Sequence, residues 1–102
     1  MNDFNEKMQR LFNRIPRRHT IENVKEMYNL LDDYEELLLS MEADVRYEKQ
    51  VARFFEVLEP IRTAVKKSND NKASKKAKDD LFDEASEALK VSIEELMQLK
   101  IL

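Results

Sequence analysis

The chain has 102 residues and not one glycine. Only glycine enters positive φ without steric cost, so tight hairpins, phosphate-cradling loops and strained active-site turns depend on it. A chain without it is steered towards helices joined by right-handed turns, and its function has to come from side chains on helix faces. Composition agrees. Hydrophobic residues make up 42% and charged residues 38%, with good helix formers (Leu, Glu, Lys, Ala, Met) far outweighing the strand-favouring set. The expected fold class is all-α: a small helical bundle on a long central helix, kinked or split into a helix pair, with short N- and C-terminal helices. The length suits a single helical domain over residues 1–102.

No apolar run approaches the roughly 18 to 20 residues needed to cross a bilayer, and MNDFNEKMQR lacks the layout of a secretory signal, so a cytoplasmic protein without membrane contact is expected. There are no cysteines, hence no thiolate ligand or cysteine nucleophile. The net charge of −3 is unevenly distributed. Residues 1–19 hold five cations and two acids, net +3, and residues 20–60 hold four and eleven, net −7. Residues 61–78 hold seven and one, net +6, and residues 79–102 hold two and seven, net −5. Blocks of alternating sign can attract successive antiparallel helices, or two copies of the chain, and penalise wrong registers.

Phe4, Met8, Leu11, Phe12 and Ile15 step by three and four, predicting a first helix over about 3–15 that ends before Pro16. Thr20 suits an N-cap and Glu22 the positive end of a second helix. From there Val24, Met27, Leu31, Tyr34, Leu38, Met41 and Val45 form a heptad-like seam, widened by Leu30, Leu37 and Leu39. A second seam, Tyr47, Val51, Phe54, Leu58, Ile61 and Val65, is offset from the first, so the chain either turns around Ser40 to Asp44 or continues with its buried face rotating. Without a breaker in that stretch, continuity is the expectation. A helix over 20–58 would be about 58 Å long, which predicts a homodimer packed along the Val24 to Val45 seam, whereas a monomer would favour a broken 20–41 and 44–67 hairpin in a four-helix bundle. Pro60 should kink or restart the helix.

Residues 66–78, KKSNDNKASKKAK, read as a loop, with a mobile basic linker over about 66–76. Leu81, Phe82, Ala85, Ala88 and Leu89 then mark another helix. Ser92 and Glu95 spell a capping box that would start a last short helix over 93–100. The stretch Ala85-Ser-Glu-Ala-Leu-Lys-Val-Ser-Ile-Glu-Glu-Leu96 resembles the closing part of phage-repressor-type helix-turn-helix domains, where a helix ending in Ala-Leu, a glycine and Val-Ser precede a Glu-Glu-Leu helix. Lys90 stands at the glycine, and the upstream recognition pattern is absent from residues 60–84. The resemblance therefore implies a helix hairpin and no DNA-contacting residue.

No nucleophile triad, dinucleotide or phosphate loop, or calcium hand can be assembled. His19 is the single histidine, which rules out paired Glu-x-x-His di-metal sites, and it reads as a connector residue. The carboxylates Asp32, Asp33, Glu35 and Glu36, and Asp79, Asp80, Asp83 and Glu84, read as solvated faces or partners for the basic blocks. Neither catalytic residues nor a metal or other cofactor are expected. The leading expectation is a non-enzymatic protein–protein interaction module, an adaptor, inhibitor or immunity-type regulator that also self-associates. Its candidate partner-binding residues are Tyr28, Tyr47, Phe54, Phe55 and Met97, because aromatics and methionine dominate interface energetics. The alternative is a nucleic-acid-associated regulator touching phosphates through segments 10–18 and 62–78. Its candidates are Arg14, Arg17, Arg18, Arg62, Lys66, Lys67, Lys72, Lys75, Lys76 and Lys78. Against it stand the absence of aromatics between Phe55 and Phe82 and the excess of lysine over arginine.

Overall fold

The computed structural model describes residues 3–16 and 18–99. Five helical segments and no strand occur among them: α1 (Asp3–Asn13), α2 (Ile21–Glu42), the single turn α3 (Ala52–Phe55), α4 (Leu58–Ser68) and α5 (Lys75–Met97). α5 packs against α4 and α1, and α2 packs against the same two helices. The four longer helices thus form a bundle in which α2 and α5 are diagonal, the small all-α bundle the composition predicts. Phe82, Leu89, Ile93, Met27, Leu31, Leu38 and Val65 lie in one buried apolar cluster shared by these helices.

The local rules work where polar side chains meet free backbone groups. Thr20 has extended backbone (φ −139°) and its hydroxyl accepts from the Asn23 amide at 3.0 Å, capping α2. Ser74 does the same for α5, accepting from the Ala77 amide at 3.1 Å. Pro60 sits in the first turn of α4, where its missing N–H would have had no intrahelical partner, so it restarts the helix without breaking it. No described residue has positive φ. The helices end on Ala43, Asn69 and Gln98, all at negative φ, with N–H groups returned to carbonyls of the preceding turn.

Both predicted seams are buried, but they lie on separate segments. Val24, Met27, Leu31, Tyr34, Leu38 and Met41 are at most 4% exposed, as are Tyr47, Val51, Phe54, Leu58, Ile61 and Val65. Val45 is 85% exposed and Leu39 52%. The expected continuity through residues 42–47 is therefore wrong: α2 stops at Glu42 and residues 43–51 form successive turns. Two causes are visible. The Asp44 carboxylate accepts from the Arg46 amide at 3.0 Å and from its guanidinium at 2.7 Å, a local turn that competes with helix. A straight helix would also put Tyr47 about 240° around from Met41, off the buried face. α2 is 22 residues long, so the long helix that motivated the homodimer is absent and its seam is filled from within the chain.

Two further expectations change at the C-terminal side. The basic linker is shorter than predicted, because Lys66 and Lys67 belong to the last turn of α4 and Lys75, Lys76 and Lys78 to the opening of α5. The break at Ser92 does not occur either: α5 runs unbroken for 23 residues, so there is neither a helix hairpin nor a short terminal helix over 93–97. Lys90 offers no glycine exit, and the Ser92 hydroxyl is buried against Tyr34 at 2.7 Å instead of capping an amide. Part of the predicted 93–100 helix, from residue 100 on, lies outside the described residues.

Candidate functional site

The charge blocks predicted from sequence meet across helices. Arg14, in the turn after α1, donates to Asp33 at 2.7 Å and Glu26 at 3.1 Å on α2. These acids, the Asp33 hydrogen bond first, hold the Arg14 guanidinium still more firmly protonated than usual. Arg62 on α4 donates to Asp32 at 3.0 Å and Glu35 at 3.3 Å. Tyr28, Asp32 and Glu35 step by four and three, hence share one stripe of α2. The Arg62 pairs lock that stripe against α4 and so place Tyr28 beside the basic end of α4.

The result is a groove of about 860 Å³ between α2, α4 and the loop after α4. Tyr28 lines one side. Glu59, Arg62, Thr63, Lys66 and Lys67 of α4 line the other, with Asn69, Asp70, Asn71 and Lys72 from the loop that follows. Asp70 shapes the loop: its carboxylate accepts from the Lys72 amide at 2.9 Å and its carbonyl from the Ala73 amide at 3.1 Å. α4 ends with Asn69 and Asp70 amides donating to Lys66 and Lys67 carbonyls, and the buried Ser68 hydroxyl donates to Val65.

Among the described residues, none of Lys66, Lys67, Lys72, Lys75, Lys76 and Lys78 forms an ion pair. Lys66 and Lys67 suit the negative end of α4. Lys75, Lys76 and Lys78 do not suit their place: α5 opens with cations and no acid in its first turn, against the positive pole of the helix. Arg18 and Lys75 share a second depression of about 320 Å³ with His19, Thr20, Asp79 and Asp83, so the two basic segments of the sequence approach each other at the start of α5. His19 stacks edge-on to Phe82 at 5.6 Å, with Nδ1 3.9 Å from Asp79 and Nε2 buried without a hydrogen-bond partner among the described residues. No group of three or more His, Asp or Glu placed to hold a metal ion occurs among the described residues, and no helix there is long and apolar enough to cross a membrane.

The candidates named from sequence are thus divided. Tyr28 is half-buried in the groove. Tyr47 and Phe54 are each 2% exposed and belong to the core, Tyr47 edge-on to Phe4 at 5.5 Å and Phe54 beneath Arg53 at 4.8 Å, so neither is presented to a partner. Phe55 and Met97 are half-buried against the same core, away from the groove. Arg14 and Arg62 are held by acids, Arg18 is exposed, and Arg17 lies outside the described residues. Sequence reasoning did not pair Tyr28 with the lysines and passed over Thr63, Asn69 and Asn71. The complementary stripe of Asp32 and Glu35 opposite Arg62 was the one signal that could have joined them. Compared with known proteins, the chain matches no family model, no curated protein and no solved structure.

Proposed function

We propose that the protein is a non-enzymatic binding module that docks a partner protein on its helical surface, with the groove between α2 and α4 as the contact face. The observation that carries this reading is the set of unpaired lysines around the groove and the adjoining start of α5. Three of them stand at a helix pole that disfavours positive charge and form no ion pair among the described residues, and a local rule broken without structural return is expected where function acts. Tyr28 adds an aromatic ring with a polar tip, the side-chain type that anchors interfaces. Self-association would be one form of such contact, but the seam expected to mediate it faces inward.

The test is affinity capture from a native lysate with the wild-type protein and with the K66E/K67E/K72E variant in parallel. A partner retained by the wild type and lost by the variant supports the reading, provided circular dichroism shows the variant folded. Equal retention by both would place the contact elsewhere and sink it. The position of Tyr28 also favours a second reading, contact with nucleic acid, because it puts an aromatic ring beside the lysines that the sequence order keeps apart. A gel shift on mixed DNA and RNA at about 50 mM salt, where phosphate contacts are strongest, separates the two readings. No retardation there removes the second.

A further inference from the structure

Resting on the groove reading, we propose that the segment the groove receives is an acidic peptide of a partner protein, its carboxylates bridging Lys66, Lys67 and Lys72 with Tyr28 as the ring it packs on. The groove's lining holds the acids Glu59 and Asp70 against four cations, and neither acid pairs with a lysine. Its lysines have no acid within ion-pairing range among the described residues, while Arg62 is already neutralised by Asp32 and Glu35. A carboxylate placed between Lys66 and Lys72 would answer that surplus, and the Tyr28 hydroxyl can donate to it. Point charges on flexible stems suit irregularly spaced anions, because they need no fixed bidentate geometry.

The acids in the groove lining decide between an acidic peptide and a phosphate chain. Glu59 and Asp70 line the same groove as the lysines. A nucleic-acid strand carries a charge about every 3.4 Å along a duplex and cannot leave one out opposite an acid. A peptide can set uncharged residues there and carboxylates opposite the lysines. Asn69 and Asn71 then offer amide groups to the uncharged stretches of peptide backbone. One aromatic in the groove also falls short of the successive stacking platforms that unspecific single-strand binding uses.

The experiment is an NMR titration of the full chain with a synthetic peptide alternating glutamate and alanine, run beside an oligothymidylate of similar length. The expected result is that the peptide moves the Tyr28 ring signals and the amides of residues 62–72. Its affinity should fall as salt rises and drop about tenfold or more in K66E/K67E/K72E, as three modest charge pairs would require. K66Q/K67Q/K72Q serves as a second variant should charge reversal disturb folding, and K49E, outside the groove, should bind as the wild type does. The proposal is overturned if the peptide moves no groove resonance at low salt, if the triple variants bind it unchanged, or if the oligothymidylate binds more tightly. Should lysate capture depend on the groove while the glutamate peptide fails to bind, the docking face stands and the acidic chemistry falls.

Discussion

Tyr34 is fully buried and shares a 2.7 Å hydrogen bond with the Ser92 hydroxyl. Burial pushes its phenol from the usual 10.0 up to about 12, because a phenolate there would lose its hydration. The folded state therefore holds this proton to higher pH than the unfolded chain does. Its contribution is complete below pH 10 and is lost as pH rises towards 12, by roughly 2–3 kcal/mol. Thermal melts between pH 9 and 12 should show that decline and Tyr34→Phe should flatten it, while at neutral pH the variant should lose about 1 kcal/mol through the broken hydrogen bond. Phe82, with no exposed surface, is expected to cost about 3–5 kcal/mol when replaced by alanine, read from denaturant midpoints. The burial of both residues was partly legible: each lies on an apolar stripe of period three to four. The polar pairing of Tyr34 with Ser92 was not, since fifty-eight positions separate them and Ser92 carries a local capping signature just as good.

That competition recurs with whole elements. Thr20 and Ser74 cap the helices that follow them, whereas the Ser92 capping box lies inside one, because a cap works only where amides are free and α5 keeps them bonded. Amide hydrogen exchange should find protection continuous across residues 89–95, and a dip at Ser92 would indicate the hairpin that the sequence suggested. The turn after α2 was illegible for the opposite reason. No glycine or proline marks it, and Asp44 looks like any helix-surface acid until its carboxylate meets the Arg46 amide. Arg46, chiefly through its guanidinium, holds Asp44 at about 2 against a usual 3.8. The contact helps the fold above pH 3.8 and is lost as pH falls through about 2. Asp44→Asn should reduce the acid dependence of the melting temperature over that interval and lower the melting temperature slightly at neutral pH, where the contact is fully formed. The groove needed a third kind of information, the docking of α2 on α4 through Arg62, which no local pattern contains.

The whole molecule measures 47 × 22 × 18 Å with a radius of gyration of 14.3 Å, an elongated bundle whose seams are satisfied internally. Size exclusion with light scattering should return a 12.2 kDa particle, and twice that mass would restore the dimer on some other face. Each long helix packs on a neighbour close in sequence except where α1 meets α5. Folding should accordingly fall in the range of about microseconds to milliseconds typical of helical bundles, measurable by temperature jump. The backbone without positive φ has a further consequence, for mutational experiments. In most proteins a systematic exchange to alanine confounds lost side chains with conformational penalties at glycine sites. Here no described position carries that penalty, so an alanine scan of this chain would report side-chain contributions along with helix propensity and little else. The Lys66 to Lys78 surface could then be ranked residue by residue against a backbone background that stays constant.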